Sequence, residues 1–165
     1  MNDDLFQPSL QDSHTLKPKY KPWSSRAQLM VAFFGGTFAF TLFAHKNNQR
    51  LSVKEPAQKK MLQLGIFFTG LTLIIPIVIA LFWPAVFEED IRMIRYLNRG
   101  IALGLYYWVE SIQRPFLRTT LITSDDEPYA PAWRDGLIHV FGWGTLHGVV
   151  LGIVITTATT LTGGI

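Results

Sequence analysis

"MLQLGIFFTGLTLIIPIVIALFWPAVF", Met61 to Phe87, contains no charged residue. A helix needs about 20 mostly apolar residues to cross a hydrocarbon core of about 30 Å, and this stretch exceeds that length. It sets the expectation for the whole chain: an all-α integral membrane protein with one span over about residues 61–84. Pro76 is expected to kink that span, because proline removes a helical hydrogen bond and crowds the preceding turn. Thr72, one turn earlier, is placed to help satisfy the carbonyl that Pro76 frees. Trp83 marks the exit, at the depth where Trp anchors to the membrane–water interface.

Composition agrees. The chain has 165 residues, which suits one domain. It is 48% hydrophobic and only 16% charged, against about 25% charged in soluble domains. With no cysteine, disulfides, thiolate metal sites and cysteine nucleophiles are excluded. The net charge of +3 bears on membrane orientation more than on nucleic acid, and the basic connector has no interleaved aromatics for base stacking. The start, "MNDDLFQPSLQDSH", has neither the basic nor the apolar part of a cleavable signal, so insertion is expected to use an uncleaved helix.

Working upstream, residues 1–24 read as a polar tail and 25–165 as one helical membrane domain. Trp23 stands where an interface anchor is expected. Ser25 and Gln28 have capping-box spacing. "AQLMVAFFGGTFAFTLFA", Ala27 to Ala44, is about the minimum length for a span, here about 27–44. Gly35 and Gly36 thin its middle and are helix-packing positions. The connector "HKNNQRLSVKEPAQKK" follows.

Downstream, residues 88–114 lack an uncharged run long enough to span. At about 100° per residue, Arg92, Arg95, Arg99, Tyr106, Glu110 and Gln113 share one sector. Ile91, Ile94, Leu97, Ile101, Leu105, Trp108 and Ile112 lie opposite. The pattern predicts an amphipathic helix lying in the membrane interface, with Arg92, Arg95, Arg99 and Trp108 at the headgroups. Glu88, Glu89 and Asp90 suit its positive N-terminal end, and Pro115 is expected to stop it. A polar loop leads to Trp133, another interface residue, and to a last span over about 136–160. The expected architecture is three transmembrane helices plus one interfacial helix.

Basic residues tend to stay on the cytoplasmic side. With three spans and a cytoplasmic N-terminus, ten of them are inside (Lys17, Lys19, Lys21, Arg26, Arg92, Arg95, Arg99, Arg114, Arg118 and Arg134) and five outside (Lys46, Arg50, Lys54, Lys59 and Lys60). The expectation is N-terminus in, C-terminus out, although the first connector is basic for an outside loop. An uneven hairpin of the first two helices is the variant.

The last span carries Gly144, Gly148, Gly152, Thr156 and Thr160 at every fourth position. Such a row makes a groove in which another helix can lie close. His139, Trp143 and His147 form a second row. His147 is either a haem or chlorin ligand or proton-relay group, or a neutral residue hydrogen-bonded to a neighbouring helix. His14 and His45 do not lie at its depth, so the second reading is preferred and no cofactor is expected. "SDDE", Ser124 to Glu127, lacks the spacing of a calcium loop. No catalytic motif and no metal-ligand spacing is present.

"PWSSRAQLMVAFFGGTFAF", "NNQRL" and "AWRDGL", in that order, resemble a widespread group of small bacterial integral membrane proteins. In that group a Phe/Leu-Gly-Gly segment opens the first helix, and an Asn followed by a basic residue and Leu ends it. Gly35, Gly36, Asn48, Arg50, Leu51 and Trp133 carry the likeness. It implies a membrane location in a bacterium and no particular activity; with the spans above, the location expected is the bacterial inner membrane, multi-pass. The function expected is a non-catalytic accessory subunit that packs against other transmembrane subunits or a second copy of itself. A cofactor-carrying subunit of an electron-transfer or light-harvesting complex, through His147, and a small transporter or channel component are the alternatives.

Overall fold

The computed structural model describes residues 20–83, 91–123 and 128–161, and every element among them is helical. In order these are α1 (Ser25–Arg50), α2 (Glu55–Phe82), α3 (Ile91–Thr123), the short α4 (Trp133–Leu137), a π-helical turn (Ile138–Gly144) and α5 (Thr145–Leu161). The joins at Ile138 and Thr145 keep right-handed helical dihedrals, so α4, the π turn and α5 form one rod. Three segments are long and apolar enough to cross a membrane: Ser25–Arg50, Glu55–Ile79 and Trp133–Thr157.

The first of these is not straight. Gly36 has φ 73° and ψ −169°, a region essentially closed to residues with a Cβ. The chain reverses there, and α1 is two antiparallel arms joined at an apex. Trp23 N–H donates to Asn47 Oδ1 at 2.7 Å, and Arg50 Nη1 donates to Lys21 O at 3.0 Å. A straight helix with a rise of about 1.5 Å per residue would hold each pair more than about 35 Å apart. Gly35 and Gly36 therefore break the helix instead of thinning it. Gly35 does serve as a packing position, as shown below.

At the open end of the hairpin, its mouth, Trp23 is 1% exposed. It stacks on Phe43 at 4.1 Å between centroids, with the Arg50 guanidinium 4.1 Å from its ring. The sequence placed it at the headgroups, but two arms meeting around a flat ring bury it. Pro22 is buried as well, so the core begins inside the expected tail. The helix cap falls on Ser24, whose hydroxyl accepts from Ala27 N–H. Gln28 is not part of a capping box: it points inward.

The other helices lie along this hairpin. α2 starts at the mouth, where Asn48 Nδ2 meets Met61 Sδ, and passes Thr41 at Gly65. The last rod also starts there, with Ala130 N–H donating to Pro22 O, and reaches the apex where Gly144 lies on Gly35. α3 runs the opposite way: Asn98 touches Gly36 and Thr37 at the apex, Tyr106 meets Phe40, and Gln113 arrives at the mouth.

α3 departs from its expected form in two ways. It continues through Pro115 to Thr123, because Leu117 is buried against Leu51 and Val53 and holds the chain in register past the proline. Tyr106 and Gln113, assigned to the wet sector, are buried. The inward stripe is Ala102, Leu105, Tyr106, Val109, Gln113 and Leu117, a helical repeat lying between the two faces that hydropathy separates. α2 likewise continues through Pro76 to Phe82. The Thr72 hydroxyl expected to serve the freed carbonyl donates to Thr69 O at 2.7 Å instead.

Candidate functional site

Two places concentrate polar or close-packed groups. The first is the hairpin mouth. Gln113 Oε1 accepts from Gln28 Nε2 at 2.8 Å and from Asn47 Nδ2 at 3.2 Å, and Gln113 Nε2 donates to Asn48 Oδ1. All four side chains are essentially inaccessible. Buried amides are costly unless paired, and here the first arm of α1 supplies a donor and the second a donor and an acceptor, all completed by Gln113 of α3. The network is therefore a clamp that keeps the hairpin shut. Gln28 Oε1 and Trp23 Nε1 are buried without a partner. Composition gave no hint of this clamp. The available signal was the placing of amides at both ends of one apolar segment, around a central Gly-Gly.

The second place is the glycine row. A Cβ on Gly144 would lie 3.1 Å from Gly35 Cα, so these helices touch backbone to backbone. Gly148 and Gly152 face open space within 4 Å. The hydroxyl of Thr156 donates to Gly152 O and that of Thr160 to Thr156 O, both turned onto their own helix. Past Gly144 the row is thus an unfilled strip without free hydroxyl hydrogens. It forms one wall of a cleft of about 450 Å³ over the hairpin apex, opposite Asn98 and Arg99 of α3. The Arg99 guanidinium lies 5.2 Å from the Phe33 ring. The spacing also fits Gly100 and Gly104 on α3, and these face open space too. Nothing in the sequence reading singled out that pair.

His147 is buried at the edge of the same cleft, stacked on Phe38 at 6.4 Å. Its Nε2 lies 3.4 Å from Thr72 Oγ1. That hydroxyl donates its one proton to Thr69 O, so a hydrogen bond between the two groups needs the tautomer with the proton on Nε2. His139 is buried separately: Nδ1–H donates to Asp135 O at 2.7 Å and the ring meets Phe43 edge-on at 5.3 Å. Trp143 sits edge-on to Phe38 at 5.7 Å. The π turn spans Ile138–Gly144, and His139, Trp143 and His147 all meet rings of α1, Phe43 or Phe38. Among the described residues, no three His, Asp or Glu side chains gather in a way that could hold a metal ion.

The remaining expected interface residues divide. Trp83 and Trp133 are exposed, and Trp108 is half-buried against the core. Arg99 is exposed. The side chains of Arg92 and Arg95 lie outside the described ones, as do Glu88, Glu89, Asp90 and the Ser124–Glu127 turn.

Compared with known proteins, the chain matches no family model, no curated protein and no solved structure.

Proposed function

We propose that this protein is a non-catalytic subunit of a membrane assembly, held by helix packing on the strip formed by Gly148, Gly152 and Thr156. The observation that carries this reading is the contrast within one row. Gly144 is filled by Gly35, while a Cβ at Gly148 or Gly152, at the same spacing, would meet no atom of the chain within 4 Å. Removing side chains at these positions lets a second helix approach until backbones touch, and lipid tails cannot match those dispersion contacts. Gly100 and Gly104 offer a second such strip. α2 and the last rod also present large apolar residues outward, among them Phe67, Phe82, Phe141 and Ile153, a surface suited to lipid and to other transmembrane helices. The resemblance to bacterial membrane proteins and the basic N-terminal half support an inner-membrane location with a cytoplasmic N-terminus.

The test is assembly in a mild detergent. Gly148→Leu and Gly152→Leu are expected to shift the extracted protein from a larger complex to its monomer mass, while Gly70→Leu, an isolated open glycine on α2, leaves the complex intact. Wild type running as a bare monomer, or a complex indifferent to both strip variants, refutes the reading. Mass spectrometry of the wild-type complex distinguishes a foreign subunit from a second copy.

A further inference from the structure

The geometry points to a topology that hydropathy does not give. The first apolar segment is a re-entrant hairpin that enters and leaves on one side, and α3 makes the third crossing. This rests on the membrane reading above and goes beyond it.

Arm length comes first. At about 1.5 Å per residue the arms before and after Gly36 reach only about 16 and 21 Å, and the hydrocarbon core is about 30 Å thick. Neither arm can cross. Direction comes next. α2 and the last rod both run from the mouth toward the apex and past it, and they meet beside the apex at Thr72 and His147. Two spans in the same direction need a return between them. Among the described residues α3 is the one helix between them in the chain, and it is aligned with them: Asn98 is at the apex, Gln113 at the mouth, and Leu117 packs on Leu51 and Val53 beyond it. A helix lying in the interface plane would cross α2 at a steep angle and could not touch both ends of the hairpin. With a length of about 50 Å, α3 exceeds the hydrocarbon thickness. Of the charges that kept it from reading as a span, Arg99 adjoins the apex, Arg114 the mouth, and Glu110, one turn from the mouth, accepts a hydrogen bond from Tyr106.

Charge supplies an independent argument. In this topology every Lys and Arg of the chain falls on the mouth side except Arg92, Arg95 and Arg99, which makes twelve of the fifteen. The straight-helix alternative divides them ten to five and leaves a strongly basic outside connector. Basic residues favour the cytoplasmic side, so the mouth, the turn at Ser52 and the segment 128–132 are cytoplasmic. The C-terminus is outside. The hairpin fills only the cytoplasmic half of the bundle, and the cleft over its apex lies in the outer half. Buried amides at the mouth are tolerable in this arrangement, because non-helical backbone and polar groups at membrane depth are enclosed by protein. Arg99, in the outer half, can extend its guanidinium along the cleft toward the outer headgroups.

The chain contains no cysteine, so single cysteines report cleanly. Lys54→Cys, Tyr96→Cys and Ile122→Cys, all at exposed positions, are labelled with a membrane-impermeant maleimide in right-side-out and inverted vesicles. Positions 54 and 122 are expected to label in the inverted vesicles and 96 in the right-side-out ones. Labelling of 54 on one side with 96 and 122 together on the other overturns the inference and restores the straight span with a surface-lying α3. Equal labelling of all three in both preparations, with extraction by alkaline carbonate, overturns the membrane reading itself. As a second measurement, Lys21→Cys with Arg50→Cys is expected to crosslink within one chain through a short bismaleimide. Absence of that crosslink in folded protein rejects the hairpin.

Discussion

The two ends of the hairpin are filled in opposite ways. At the mouth, two arms, α2 and α3 converge on four buried amides and a stacked Trp23–Phe43 pair. At the apex, α3 and α5 stand apart around a cleft, and glycines of the row face open space. The difference shows where the chain is self-sufficient and where it is not. Polar groups that find partners across helices fix a fold. Small residues that have none leave a surface unfinished.

The clamp should respond most. Gln113→Leu removes the partner of three amides at once, and each orphaned buried group costs about 1–3 kcal/mol. The variant is expected to lose about 3 kcal/mol or more, read as a large fall in Tm of the detergent-solubilised protein. A change as small as that of an exposed residue would show that the mouth is held by packing alone. Gly144→Ala is next. Its methyl would press on Gly35 Cα, and overpacking of that kind costs about 1–3 kcal/mol. Gly36→Ala belongs in the same range, since a Cβ at positive φ costs about 1–3 kcal/mol. Thermal melts of the two variants compare the apex with the mouth directly.

The smallest effects should come from the open side. His147→Gln keeps a hydrogen-bonding side chain near Thr72, and such interhelical bonds average about 0.6 kcal/mol in membranes. Gly148→Ala meets no neighbour and should be neutral or stabilise the monomer by up to about 1 kcal/mol, because alanine favours helix. Gly144→Ala and Gly148→Ala form a matched pair, one turn apart in the same row. If they destabilise the monomer equally, the contrast between filled and open halves fails.

Some of this was legible in the sequence. Met61–Phe87 reads as a span because the judgement needs only local composition, and the helical character of every described element follows from the same pattern. The glycine spacing was legible too. What spacing could not say is which glycines the chain uses itself, since that depends on where Gly35 comes to rest. The hairpin was hidden for a related reason. Hydropathy sums over Ala27–Ala44 and is blind to a reversal at Gly36, while the amides that enforce the reversal come from positions as far apart as 65 and 85 residues. Tyr106 and Gln113 were misplaced because amphipathic averaging assigns them to water by type. Gln113 is inside because a specific partner awaits it there, and Tyr106 because it packs on Phe40.

The clamp also has a consequence for biogenesis. Gln113 follows Asn48 by 65 residues, so at about 5–20 residues per second a ribosome needs about 3–13 s to deliver it. During that interval the nascent hairpin has its own closing contacts, Trp23 on Asn47 and Phe43 and Arg50 on Lys21, but Gln28, Asn47 and Asn48 lack Gln113. Its arms are too short to be threaded through a translocation channel as a stable span. In the topology proposed above, the hairpin is expected to wait at the bilayer surface and to be seated late, after α3 crosses and brings Gln113 back to the side where synthesis began.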